Sequence, residues 1–169
     1  MAQSTEQEST RIALIKAAGK LFTENGIAGT SIREIAKAAG TDSSMIKYYF
    51  GNKDGLIKAV IDFVLEPWES RSLTSYVREN EHLFATKDGQ RQLVAEVIAL
   101  CFEFMAPDPE LPWKNTFLMQ CTQHNHIGRQ TVLEKIVIPD STLFMEIFSR
   151  ITGNDDAESA HCWSLTFSG

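Results

Sequence analysis

The sequence predicts an all-α fold: a three-helix helix-turn-helix head followed by a helical-bundle body. Apolar residues recur at helical spacing, Gly, Pro, Asn and Asp punctuate these runs, and strand-like alternation is absent from the first 105 residues. The first helix is read from Thr10, with Leu14, Ala17, Ala18, Leu21 and Phe22 inward and Asn25-Gly26 as its left-handed ending. Ser31-Ile32-Arg33-Glu34 fits a capping box, in which Ser caps the helix and Glu reaches back to the cap's own amide. The second helix therefore starts there and runs to about Ala39. Gly40 stops it, and Asp42 caps a third helix from Ser43 to Phe50, whose Ile46 and Phe50 point at the first two. Asn52 caps a fourth helix that starts at Lys53-Asp54 and turns Leu56, Ile57, Val60, Ile61 and Val64 inward. Pro67 ends or kinks it, either as plain punctuation or as a hinge between body and head.

The helical pattern returns from Gly89 to Met105, and Pro107, Pro109 and Pro112 mark a loop behind it. Further helices are expected at Trp113 to Thr122, Gly128 to Val137 and Pro139 to Ile151. The stretch after Ala157 reads as the start of another. It reaches Gly169 without a cap, so a shortened chain is expected. The domain division expected is a head of residues 1–55, ordered from about residue 10, and a body of residues 56–169.

Composition narrows the function classes. Hydrophobic residues make up 43% and charged residues 22%, close to the globular average, and no apolar run has the length of a membrane span. The polar, acidic start MAQSTEQEST lacks the features of a secretory signal, so a cytoplasmic protein with no membrane partner is expected. Cys101, Cys121 and Cys162 stand far apart and read as reduced, mostly buried thiols. Net charge is −6, yet residues 1–55 hold seven Lys/Arg against six acids, leaving the deficit in the remainder. A head less acidic than its body permits contact with phosphate without demonstrating it.

Two helices joined by a short Gly-containing turn, the second presenting small polar residues at its start, form the DNA-binding arrangement. Here Ile35 and Ala36 pack inward, Ala39 allows a close crossing, and Ser43, Ser44 and Met45 would face base edges. Arg33 is the candidate for a two-pronged guanine contact, because a guanidinium matches the paired acceptors O6 and N7. Lys47, Tyr48, Tyr49 and Lys53 are candidate phosphate contacts, and Thr30 and Ser31 offer the same at the second helix.

The order and register of these residues carry a resemblance. The series runs Leu14-Ile15, Ala17-Ala18, Leu21-Phe22, Gly26, Thr30-Ser31, Ile35-Ala36, Ala39-Gly40, Ile46-Lys47-Tyr48-Tyr49-Phe50 and Lys53-Asp54-Gly55-Leu56. In it, residues 10–65 resemble the DNA-binding head of the tetracycline-repressor (TetR) family. The sequence departs from the family pattern at Lys47, where Tyr is usual, at Tyr49, where His is common, and at Asp42, which replaces a frequent Ser. The resemblance implies a homodimeric repressor on a double-stranded, palindromic DNA operator, released by a small apolar or amphipathic effector. It also implies a pocket in the body, for which Trp68, Phe102, Met105, Trp113 and Phe117 are candidate lining residues, simple core filling being the alternative.

Other chemistries find less support. Cys121-x-x-His124-x-His126 offers a thiolate and two imidazoles, but zinc needs a fourth ligand and His-x-His on a helix points to different sides, so no metal is expected. No Gly-rich phosphate loop, nucleophile elbow or metalloprotease His pair occurs, so neither catalysis nor a cofactor is expected. The remaining alternative is a helical ligand-binding or protein-interaction module whose head no longer reads DNA; the weak positive charge and Asp42 favour it.

Overall fold

The computed structural model describes residues 2–70, 72–154, 156, 159 and 162, and every regular element among them is helical. In order these are α1 (Ala2–Gly29), α2 (Ile32–Ala38), α3 (Ser44–Phe50), α4 (Lys53–Ser70), α5 (Leu73–Glu79) and a 3-10 turn (Glu81–Ala85). Then follow α6 (Lys87–Met105), α7 (Lys114–His124), α8 (His126–Val132), a π-helical turn (Leu133–Val137) and α9 (Ile138–Thr152). No helix among the described residues is long and apolar enough to cross a membrane. The expected helix after Ala157 falls largely outside the described residues.

The chain divides into two compact units. One holds the chain up to Glu66 together with Pro107–Val132, and the other holds Pro67–Ala106 and the chain from Leu133 onward. In the first unit Leu14, Ile15, Ala18 and Phe22 of α1 are buried, as are Ile35, Ile46, Leu56 and Ile57 from the three helices that follow. Helix α7 completes this core: Phe117 is fully buried and stacks on Phe22 with ring centroids 6.1 Å apart. Burying side chains of this size stabilises by roughly 1.5–3 kcal/mol each, so α7 is part of the head's own core.

Helix α1 begins well before Thr10. Its polar first turns hold through local bonds, such as the Thr10 hydroxyl donating to the Glu6 carbonyl at 3.0 Å. Gly26, at φ 74° and ψ 156°, breaks the helix where the sequence expects, and a short turn carries it on to Gly29. Pro67 does not end α4, which continues to Ser70. Pro67 stands inside the helix, which closes three residues later. Helix α5 and the 3-10 turn were not expected. Both are short, and α5 is held by Ser72 accepting a bond from the Ser75 amide at 3.2 Å.

The second unit is built around Trp68, Leu73, Val77, Leu93, Val97, Leu143, Phe144 and Ile147. On its surface the Arg150 guanidinium lies 3.7 Å from the Phe84 ring centroid and bonds to Glu81 at 3.1 Å and Glu146 at 3.3 Å. Asp140 lies in the first turn of α9, partly buried, and burial pushes its carboxyl up to about 6. Above its ordinary titration range the unfolded chain loses this proton while the folded chain keeps it. Stability therefore falls as pH rises from about 4 to 6 and stays low above that. Asp140→Asn should remove this fall, raising stability at pH 7 by about 1–2 kcal/mol after allowance for solvent screening and leaving pH 4 little changed; paired urea titrations at the two pH values read it.

Gly55, in the first turn of α4, has no room for a side chain: a Cβ there would lie 2.0 Å from the Phe50 carbonyl oxygen. Gly55→Ala should therefore destabilise the protein by about 2 kcal/mol in urea unfolding, despite the ~1 kcal/mol that alanine normally gains over glycine in a helix.

Candidate nucleic-acid interface

The geometry of the head starts from its caps. At α2 the Glu34 amide donates to the Ser31 hydroxyl at 3.2 Å and the Ser31 amide donates to the Glu34 carboxylate at 2.7 Å, completing the expected capping box. Hydrogen bonds from Ser31 hold the Glu34 carboxyl below its usual range, with a smaller contribution from Lys53. Gly40 takes φ 68°, which a side chain rarely allows, and the Thr41 amide reaches back to the Ala36 carbonyl at 2.9 Å. The Asp42 carboxylate then accepts from the Ser44 amide at 2.8 Å, and bonding to Ser44 keeps its carboxyl below the ordinary value. A carboxylate at the start of α3 is thus committed to capping.

Helix α3 has one buried anchor, Ile46, at 1% exposure. Around it Ser44, Lys47 and Tyr48 are exposed, Tyr48 at 69%, while Ser43, Met45, Tyr49 and Phe50 are intermediate. Tyr48 meets Tyr49 edge-on at 4.9 Å, and the Arg11 guanidinium lies 5.9 Å from the Phe50 centroid. On α2, Arg33 is exposed and Ser31 is exposed with its hydroxyl engaged in the cap. Ser44, Lys47, Tyr48 and Arg33 are therefore available to a ligand, with Ser43 and Met45 partly so.

Three of the expected phosphate contacts face elsewhere. Thr30 is only 2% exposed, and its hydroxyl donates to the Gly26 carbonyl at 2.9 Å and the Leu21 carbonyl at 3.1 Å, closing the end of α1. The ammonium of Lys53 donates to the Ile27 carbonyl and, at 2.6 Å, to the Thr30 carbonyl, and it lies 5.8 Å from the Phe22 ring centroid. It is an internal strut. The Tyr49 hydroxyl is buried without a hydrogen-bond partner and so does not reach outward.

The candidate effector residues are divided between the two units. Trp68 packs on Phe104 at 4.7 Å within the second unit, where Phe102 and Met105 stand exposed at 72% and 62%. Trp113 and Phe117 belong to the first unit, where Trp113 meets Phe117 edge-on at 6.1 Å and covers Gly19. In the Cys-His segment, Cys121 is buried beside Gly128 and its thiol is pushed up to about 12 by burial, whereas His124 and His126 are exposed. No trio of His, Cys, Asp or Glu is gathered for a metal among the described residues.

A short outward helix anchored through one isoleucine, behind a glycine turn and a capped partner helix, defines a helix-turn-helix head. Residues 14–60 match the family model for bacterial regulatory proteins of the tetR family. The family match is to the head, which is a regulatory domain of that type. YttP of Bacillus subtilis (strain 168), named a probable HTH-type transcriptional regulator, is 30% identical over 141 residues, covering 83% of this chain and 56% of that one. The HTH-type transcriptional repressor NicS of Pseudomonas putida is 26% identical over 108 residues, covering 64% of this chain and 47% of NicS. The chain spans about half the length of the curated relatives it matches. The fold matches the crystal structure of NalD, the secondary repressor of the MexAB-OprM multidrug efflux pump in Pseudomonas aeruginosa. The TM-score is 0.60 at 21% identity, over 96% of this chain and 80% of NalD.

Because Lys53 bonds two backbone carbonyls from inside the head, its loss should register in stability. Lys53→Ala is expected to lower unfolding free energy by about 2 kcal/mol, the scale of hydrogen bonds to a charged group, in denaturant titrations without DNA.

Proposed function

We propose that the protein is a sequence-specific, DNA-binding transcription regulator of the cytoplasm, without enzymatic activity. It acts as a homodimeric repressor on a palindromic operator. Residues 1–55 carry the DNA contacts, and residues 56–169 carry dimerisation and the binding of a small apolar or amphipathic effector. The observation that carries the reading is α3 itself, where Ile46 fixes the helix while Ser44, Lys47 and Tyr48 remain exposed beside Arg33 of α2. Ser43, Ser44, Met45 and Arg33 meet base edges; Lys47, Tyr48 and the N-terminal turn at Ser31 meet phosphates.

In a two-fold dimer the two copies of α3 enter successive major grooves, roughly 34–36 Å apart. An effector that binds better to a state with a different separation drains the DNA-competent population. The size of the response is set by its unequal affinity for the two states. Prolonged contact between an acidic body and DNA is disfavoured by charge, so phosphate contact concentrates on the head.

Selection from random duplex DNA should return a palindrome. On that site Arg33→Ala should cost about 1–3 kcal/mol and relax preference at one base pair per half-site. Lys47→Ala should weaken binding to all sequences and make the slope of log affinity against log salt shallower by about one unit per half-site. Absence of any selected sequence, with binding undetectable at low salt, would instead identify a head that no longer reads DNA.

A further inference from the structure

In the second unit, one face of α6 carries Lys87, Gln90, Arg91, Val94, Ala95 and Ile98 at the three- and four-residue spacing of a helical stripe. With Ile151 from the end of α9 it lines a groove of about 410 Å³, within the range of small-molecule sites. Along α6 the groove is graded. Lys87, Gln90 and Arg91 hold one end, and Val94, Ala95 and Ile98 make the rest apolar. From Lys87 to Ile98 the helix rises by roughly 16 Å. Val94, Ile98 and Ile151 are only partly buried and Ala95 is exposed, so the apolar wall is accessible.

The polar end is held by specific bonds. The Gln90 side-chain amide donates to the Phe84 carbonyl at 2.9 Å, which leaves its oxygen to accept from the Lys87 ammonium at 3.2 Å. A neutral acceptor positions this ammonium without cancelling its charge. Arg91 bonds Asp88 through Nη1 at 2.9 Å, an ion pair with both side chains exposed, which loses little by sharing the guanidinium with a second anion. Among the described residues no acid lines the groove, in a chain where Asp and Glu outnumber Lys and Arg by 22 to 16.

Two accessible cations at one end of an apolar wall complement a molecule that joins an anionic head to an apolar chain. The lining offers no aromatic face, which suits a plain alkyl chain better than a ring system. We infer that the groove binds a single-chain amphiphilic carboxylate, its head at Lys87 and Arg91 and its chain on Val94, Ala95, Ile98 and Ile151. An occupant fastens α6 to the end of α9 within the second unit. That it serves as the effector rests on the DNA-regulator reading, although the site does not.

Decanoate serves as the probe, titrated below its micelle concentration into the full chain without DNA and followed by calorimetry and two-dimensional ¹H–¹⁵N spectra. Saturable one-to-one binding is expected, with shifts at the Gln90 side-chain amide and at the Val94, Ala95, Ile98 and Ile151 backbone amides. Octanoate should bind about fivefold more weakly, because each methylene removed takes its burial with it. Decyltrimethylammonium, with the same chain and the opposite charge, should not bind. Lys87→Gln and Arg91→Gln should each weaken decanoate binding about threefold, the scale of exposed ion pairs, and Ala95→Glu should abolish it. All three positions are exposed, and circular dichroism checks that each variant is folded; if Ala95→Glu is not, the two Gln variants carry the test. Shifts confined to other residues, equal binding of the ammonium amphiphile, unchanged affinity in the folded variants, or association only with phosphatidylglycerol vesicles would overturn the assignment. DNA is absent from these titrations, so a negative result leaves the repressor reading standing, and failure to bind DNA leaves the site standing.

Discussion

The seat of α2 and α3 is set by how the end of α1 is closed. Gly26 breaks that helix, and the carbonyls on either side of the break lose their regular partners. Two side chains take over: the Thr30 hydroxyl bonds Leu21 and Gly26, and the Lys53 ammonium reaches across from α4 to Ile27 and Thr30. This fixes where the chain leaves α1, one residue before Ser31 caps α2. It also ties α4 to α1, so the short helices α2 and α3 are held between two anchored neighbours. Neither short helix would persist alone, since seven residues lie well below the length at which an isolated helix is stable.

On that seat, the exposure of α3 follows from economy of anchoring. Only Ile46 is fully sunk, with Phe50 partly buried behind it, so most of the helix surface stays accessible. The carboxylates near it are already bonded: Asp42 to the Ser44 amide and Glu34 to the Ser31 amide. Capping spreads their charge over backbone N–H groups, which reduces the repulsion that two acids would otherwise exert on a polyanion. A head with a small net positive charge can in this way present a surface whose exposed functional groups are Arg, Lys, Ser and Tyr.

Much of this was legible in the sequence because it is local. The capping box at Ser31, the left-handed Gly26 and Gly40, and the Asp42 and Asn52 caps each depend on residues within a few positions, and each is present. Thr30 and Lys53 were misread for the opposite reason. A threonine or lysine beside a helix start looks the same whether it faces solvent or a carbonyl, and the Lys53 partners lie 23 and 26 residues away. The aromatic residues of the body illustrate a second limit. Helical spacing puts Phe102, Met105 and Phe117 on faces but does not say what covers each face; Phe117 is sealed against Phe22, whereas Phe102 and Met105 are open. Gln120, which bonds the Thr23 carbonyl, is polar and without a motif and carried no signal at all.

The membership of α7 in the head's core bears on what holds α2 and α3 in place. Phe117 stacks on Phe22, Trp113 covers Gly19, and Gln120 bonds the Thr23 carbonyl, so α7 grips α1 between Gly19 and Thr23. Packed contacts of this kind favour discrete arrangements over smooth deformation, because a stacked ring that slides by a fraction of an ångström loses much of its contact energy. Any shift of α7 therefore acts on α1 directly. Through the Thr30 and Lys53 closure, it then acts on the point from which α2 and α3 depart. No long relay is needed: α7 and the Thr30–Lys53 closure both act on the final part of α1.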